Sequence, residues 1–217
     1  MNIIDSMVKF FSEGGFWMYP ILLVGTLGAA FAVERFIKLK MVERANRSLW
    51  ERLHPLLAEG DFDAARELVA EDKSTVAELL SMGLERQGTV RRRDDIEIAM
   101  EEAMMEIVPQ LEARTGYISL FANISTLLGL LGTIIGLISA FEAVANAAPA
   151  EKSAMLSSSI AIAMNTTAFG LMTGIPLLVL YFMISSKAGS IATSLEMVSV
   201  KTLNYITSKV KRNHQQA

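Results

Sequence analysis

Two long stretches without a charged side chain constrain this sequence more than any other feature. Residues 115–141 and 153–186 contain no Asp, Glu, Lys or Arg, yet both hold several Gly, Ser, Thr and Asn residues. About 20 apolar residues are enough to cross a bilayer, so each stretch can form a transmembrane helix. Polar groups inside a membrane need partners, so we expect these helices to face other helices or a water path.

A third uncharged stretch lies between Glu13 and Glu34, near the N-terminus. The tripeptide Ala30-Phe31-Ala32 resembles a signal-peptide cleavage site. However, the stretch is about 20 residues long, where signal peptides have 7–15, and it follows Asp5 and Lys9 instead of a basic cluster. We therefore interpret it as a retained first transmembrane helix.

The distribution of charge separates the spans from a soluble segment. Of the 43 charged side chains, 28 lie between Lys40 and Arg114. Basic residues cluster after the first and the third span, and such flanks remain on the inner side of a membrane. The N-terminus and the short connection around Pro149 are thus predicted to be outside. The net charge of −3 argues against a nucleic-acid partner, and the absence of Cys excludes thiol chemistry.

The sequence therefore predicts an all-α membrane protein, with three transmembrane helices and long helical extensions on the inner side. The predicted segments are an outer N-terminal segment (1–14), transmembrane helix 1 (15–36), an inner helical domain (37–114), transmembrane helix 2 (115–144), an outer loop (145–152), transmembrane helix 3 (153–186) and an inner C-terminal helix (187–217).

Hydrophobic periodicity indicates helices throughout the inner segment. One helix is predicted to end at Gly60-Asp61, with another starting directly after it. Asp94 is a candidate N-cap with Glu97 as its capping-box partner, opening a helix that, if unbroken, runs from about Asp95 to Ala145. Its expected apolar stripe consists of Ile98, Met105, Val108 and Leu111, and Pro109 is a candidate kink. Helix 3 is expected to continue as an amphipathic tail through Leu195, Val198, Thr202 and Tyr205.

Small and hydroxylated residues are regularly spaced in the second span. Ser119, Thr126, Thr133 and Ala140 recur every seven residues and form one stripe, while Gly129, Gly132 and Gly136 permit close backbone approach. Tight helix packing without an ion path would give the same spacing. In the third span, Asn165, Thr166 and Thr167 are consecutive, so they cannot all face one lumen. One or two of them are candidates for bonds to carbonyls one turn earlier.

Two motifs resemble the TolQ/ExbB/MotA family of ion-driven motor proteins, and the TolQ/ExbB branch most closely. The first is LLGLLGTIIG at residues 127–136, followed by Ala140-Phe141. The second is TAFGL at residues 167–171, followed by Ile175-Pro176 and Tyr181. The resemblance covers nearly the whole chain, including its three spans.

The resemblance implies a homopentamer in the bacterial inner membrane, with a periplasmic N-terminus and a cytoplasmic C-terminus. Its pore would hold the spans of a TolR/ExbD-like partner, expected to be a dimer, whose membrane Asp carries H⁺ or Na⁺. No other cofactor or metal is implied. The candidate ion-pathway residues are Thr133, Thr167, Thr166, Asn165 and Thr126. The candidate packing residues are Gly129, Gly132, Gly136, Gly170, Gly174 and Pro176.

One position departs from the family pattern and leaves the transported ion open. Proton-driven relatives carry a membrane Glu where this chain has Ile162, and no span core here contains an acidic residue. The Thr166-Thr167 pair resembles that of sodium-driven stators, so proton and sodium both remain candidates. A stator for gliding or flagellar motility and a passive membrane scaffold are the alternative functions. An intramembrane enzyme is disfavoured, because no His, Cys, Asp or Glu lies at membrane depth.

Overall fold

The computed structural model describes residues 10–11, 14–89 and 93–216, and this part of the chain contains helices and no strand. The helices are α1 (Met18–Glu59), α2 (Phe62–Glu71), α3 (Thr75–Thr89), α4 (Arg93–Glu112), α5 (Thr115–Asn146) and α6 (Lys152–Gln216). Three helical stretches, in α1, α5 and α6, are long and apolar enough to cross a membrane. The all-α fold with three membrane-length helices is thus confirmed, while the exact ends of the three spans stay predictions.

The predicted break at Gly60-Asp61 is confirmed. Gly60 has a positive φ of 78°, a conformation that glycine adopts without a steric penalty. Asp61 is the N-cap of α2, and its carboxylate accepts a hydrogen bond of 3.1 Å from the backbone N–H of Ala64. The chain therefore leaves one helix and enters the next within two residues.

The helix that includes Asp94 is not unbroken to Ala145. The chain turns at Ala113-Arg114, where Arg114 is left-handed with a φ of 63°, and a new helix starts at Thr115. The guanidinium of Arg35, which is buried, donates a hydrogen bond to the Leu111 carbonyl, one of those that a helix end leaves unpaired. The break is therefore stabilised by a tertiary contact.

Two further details of α4 differ from the sequence prediction. The helix begins at Arg93, so Asp94 lies in its first turn and is not the N-cap. There its negatively charged carboxylate still interacts favourably with the positive end of the helix dipole. Of the expected apolar stripe, Leu111 is buried, whereas Ile98 and Met105 are 51% and 74% exposed. The residues that α4 buries are Ile96, Ala99, Met100, Ala103, Ile107 and Leu111. Pro109 lies inside the helix.

The chain divides into two compact units that differ in charge. The apolar unit comprises the residues up to Glu34 together with Arg114–Met183. Its charged residues in the described ranges are Glu34, Arg114, Glu142, Glu151 and Lys152. Many of its large apolar side chains are exposed, among them Leu23, Leu127 and Phe182 at 61%, 62% and 73%. A surface of this kind belongs in a lipid environment, which places the protein in a membrane.

The charged unit comprises Arg35–Ala113 and the residues from Ile184 onward. Its core consists of side chains less than 2% exposed, including Leu49, Leu53, Leu57, Leu79, Leu80, Leu84, Met100, Ile107 and Leu195. Asn46 orders the start of α3, because its side-chain oxygen accepts hydrogen bonds from the Thr75 hydroxyl (2.9 Å) and the Val76 N–H (3.2 Å). The helical tail of α6 is confirmed, with Leu195, Val198 and Thr202 buried.

Part of the sequence prediction lies outside the described residues. The predicted outer N-terminal segment, residues 1–14, is described only at Phe10, Phe11 and Gly14.

Candidate ion-pathway site

Glycine residues bring α5 and α6 into close contact within the apolar unit. A Cβ added at Gly170 would lie 2.8 Å from the Ser125 carbonyl oxygen and 2.9 Å from the Gly129 Cα. A Cβ at Gly174 would lie 2.9 Å from the Ala122 carbonyl oxygen. Real Cβ atoms do not approach so closely, so these positions hold two helix backbones together, as small residues do in membrane helices.

The other predicted packing residues differ in their surroundings. Gly132 faces the Thr166 side chain and the Cβ of Trp17, and a Cβ at Gly136 would lie 3.0 Å from that of Ala163. Pro176 lies inside α6 and is exposed in the single chain. The five glycines therefore lie at helix contacts.

The hydroxyl groups of Thr133 in α5 and Thr167 in α6 are in direct contact. Thr167 Oγ1 donates to the Gly129 carbonyl at 3.0 Å. Thr133 Oγ1 lies 3.2 Å from the same carbonyl oxygen and 3.5 Å from that of Ala163. We call these four oxygen atoms the hydroxyl cluster. Both threonines are only partly buried in the single chain.

The hydroxyl cluster has more hydrogen-bond acceptors than hydrogens to donate. Each hydroxyl carries one hydrogen and can also accept, and its hydrogen rotates toward whichever partner is available. Thr133 can donate to Gly129, to Ala163 or to Thr167, and the choice at one hydroxyl changes the choice at the other. Such a cluster can pass a proton along or surround a hard cation with oxygen ligands.

Thr166 is not part of the hydroxyl cluster. Its hydroxyl is buried and lies 2.8 Å from the Gly14 carbonyl oxygen and 3.0 Å from that of Ile162, four residues earlier. The predicted bond from this region of the helix to a carbonyl one turn earlier is therefore confirmed for Thr166. The structure does not bring the consecutive residues Thr166 and Thr167 to one site.

The two remaining candidates, Thr126 and Asn165, are half-buried. Neither takes part in the described hydrogen bonds of the hydroxyl cluster. The Thr126 hydroxyl donates to the Ala122 carbonyl at 3.2 Å. A Cβ added at Gly174 would lie 2.5 Å from this hydroxyl oxygen. Sequence reasoning did not select Ser125, whose hydroxyl is fully buried and has no hydrogen-bond partner among the described residues. Its position beside Thr126, in a span otherwise rich in Leu and Ile, was the available signal.

The described residues contain no group of three or more His, Cys, Asp or Glu side chains that could hold a metal ion. The oxygen atoms of the hydroxyl cluster come from neutral groups alone.

Comparison with known proteins agrees with the two sequence motifs. The model of the MotA/TolQ/ExbB proton channel family matches residues 71–197, more than half of the chain. A protein of Methanothermobacter thermautotrophicus, whose name describes it as a homolog of the biopolymer transport protein ExbB, is 25% identical over 205 residues. That match spans 93% of this chain and 71% of the relative. The resemblance is thereby confirmed: the chain belongs to the MotA/TolQ/ExbB proton channel family, a family of membrane channel subunits and not of enzymes.

Proposed function

We propose that this chain is the ring-forming subunit of an inner-membrane motor that couples an ion gradient to movement of a TolR/ExbD-like partner. The observation that carries the proposal is the hydroxyl cluster between the uncharged stretches of α5 and α6, where Thr133 and Thr167 are in direct contact. Membership of a proton channel family supports the same role. The name of the relative from Methanothermobacter thermautotrophicus favours transport of biopolymers over motility.

The chemistry of the cluster assigns different tasks to the two proteins. The span cores of this chain hold no Asp or Glu, so the ion is carried by the membrane Asp of the partner. The threonine hydroxyls stabilise the ion when it loses water beside that carboxylate. For a proton, one hydroxyl accepts while the other donates. For sodium, the hydroxyl and carbonyl oxygens act as ligands.

The proposed assembly is a pentamer around a dimeric single-span partner. The N-terminus and the connection near Pro149 lie in the periplasm, and the charged unit lies in the cytoplasm, where basic flanks remain. Exposure of part of the hydroxyl cluster in the single chain supports a shared interior, because a second protein then has access to it.

The test removes the hydroxyls without removing the packing. Thr133→Val and Thr167→Val keep the branched shape, and loss of a buried hydrogen bond costs about 1–3 kcal/mol, or about 5- to 150-fold in rate. We expect a fall of at least about fivefold in a transport assay with the co-expressed partner, with ring formation and partner binding unchanged. Full activity of Thr167→Val would contradict the proposal.

Thr173→Val is the matched control, because the Thr173 hydroxyl bonds only one turn back, to the Phe169 carbonyl at 2.9 Å. It should retain activity. A passive scaffold would tolerate all three substitutions equally.

Thr166→Val tests whether the Thr166-Thr167 pair forms a sodium site. Because Thr166 bonds to Gly14 and Ile162, we expect a milder loss than at Thr167, equal in sodium and potassium buffers. A loss as severe as at Thr167, together with a new sodium dependence, would instead indicate a sodium site.

A further inference from the structure

Beyond its membrane-spanning part, α1 presents an exposed face that mixes apolar and basic side chains. Phe36, Ile37 and Met41 are 49%, 53% and 65% exposed. They follow Glu34, the first charged residue after the uncharged stretch, within two helical turns. At 1.5 Å per residue, Met41 lies only about 10 Å along the axis from Glu34. These apolar side chains are therefore close to the membrane surface.

The rest of the charged unit does not cover this face. The opposite side of α1 is the buried one, and it carries Arg35, Leu39, Asn46 and Leu49. Helical periodicity places Phe36, Ile37, Lys40, Met41 and Arg44 together on the outward side. We call these five residues the juxtamembrane face.

The basic residues of the juxtamembrane face are available to an anion. Lys40 and Arg44 are exposed, and the ion pairs described for the charged unit do not use them. The nearby acid Glu43 is paired with Lys187 at 2.6 Å. Lys40 Nζ lies over the Phe36 ring, 5.7 Å from its centroid, so the basic and apolar parts of this face are in direct contact.

We propose that the juxtamembrane face binds an anionic phospholipid, with the phosphate at Lys40 and Arg44 and the upper acyl chain against Phe36, Ile37 and Met41. A phospholipid is the expected ligand, because this face belongs to a helix that is long and apolar enough to cross the bilayer. The headgroup layer extends several ångströms beyond the hydrocarbon, which reaches this part of α1. Basic clusters beside a span attract anionic lipid.

The test is native mass spectrometry of the full chain in mild detergent, with phosphatidylglycerol or phosphatidylcholine of the same chain length added. We expect about tenfold more bound phosphatidylglycerol for the natural sequence, and near-equal binding for the double variant K40E/R44E. The matched control is K73E/R93E, which changes the net charge equally at exposed residues elsewhere, and it should keep the preference.

Three results would overturn the proposal. One is the absence of a preference in the natural sequence. Another is an equal loss in both double variants, which would mean that net charge alone attracts the lipid. The third is displacement of phosphatidylglycerol by the same concentration of inorganic phosphate, which would show that the apolar residues contribute nothing. The variant I37S/M41S adds a check on that contribution and should lower binding of both lipids.

Discussion

Gly170 has no Cβ atom, and this lets two membrane helices lie close together. A Cβ there would lie 2.8 Å from the Ser125 carbonyl oxygen, a backbone atom that cannot rotate away. Gly170→Ala should therefore destabilise the protein by about 1–3 kcal/mol, as overpacking does, although alanine favours the helix itself. Unfolding by sodium dodecyl sulfate titration measures the effect.

Gly189→Ala, in the same helix, is the control. Nothing lies within 4 Å of a Cβ at Gly189, so this change should be neutral or stabilising by up to about 1 kcal/mol. Equal stability of the two variants would show that the helices do not approach as closely as described.

Residue type predicted some features of the site and missed others. Gly and Thr at regular spacing in the second span indicated which of its faces approaches another helix, because only small residues permit such contact. In the third span, the consecutive residues Asn165, Thr166 and Thr167 did not single out one face. The partners of the hydroxyls were not predictable, since the carbonyls of Ala163 and Gly14 carry no signal in the sequence. Thr166 and Thr167 are chemically identical neighbours, and only the fold separates their roles.

Between elements, Asp72 connects three helices of the charged unit. Its carboxylate accepts from the Ser74 N–H at 2.8 Å, at the start of α3, and from Arg52 in α1 at 3.1 Å. Burial raises the pKa of Asp72, but the hydrogen bonds from Ser74 and the charge of Arg52 outweigh burial and lower it. Because the pKa is lowered on folding, the ionised carboxylate stabilises the fold at a pH above its unfolded pKa of about 4.

Asp72→Asn should therefore cost about 1 kcal/mol at pH 7. The difference from the natural sequence should shrink as the pH falls below about 4 and vanish below the folded pKa. Urea unfolding in mild detergent, followed by Trp50 fluorescence in a Trp17→Phe background, measures it. Asp63→Asn is the control, because Asp63 is 95% exposed and pairs only with Arg66, and it should change stability by less than about 0.5 kcal/mol. A pH-independent cost at Asp72 would refute the assignment.

The break between α4 and α5 was not predictable from local sequence. Ala113 and Arg114 are good helix formers, and no Gly, Pro or Asn marks the turn. The left-handed Arg114 is instead accompanied by distant contacts: Arg35 with the Leu111 carbonyl in the charged unit, and Arg114 with Glu34 at 3.3 Å in the apolar unit. At Gly60-Asp61, by contrast, both residues are turn formers and the break was predicted.

At the scale of the whole molecule, exposed apolar side chains in the charged unit form a surface suited to contacts with other chains. Ile98, Met105, Met197 and Val200 are 51–74% exposed. Met105 and Val200 line an open groove of about 820 Å³ together with Glu97, Glu101 and Glu196. Such patches on a soluble unit mark interaction sites. Native mass spectrometry in mild detergent should give five times the 23.7 kDa chain mass. Monomers or dimers alone would contradict the proposed ring.

The chain passes between the two units three times, and only one passage interrupts a helix. In α1 and α6, one extra residue would rotate everything beyond it by about 100°. At Ala113-Arg114 the turn can absorb such a change, because the residues there are already outside helical geometry. A one-residue insertion should therefore be tolerated better at Ala113-Arg114 than inside α1 or α6, where it would shift the helical register of every residue that follows.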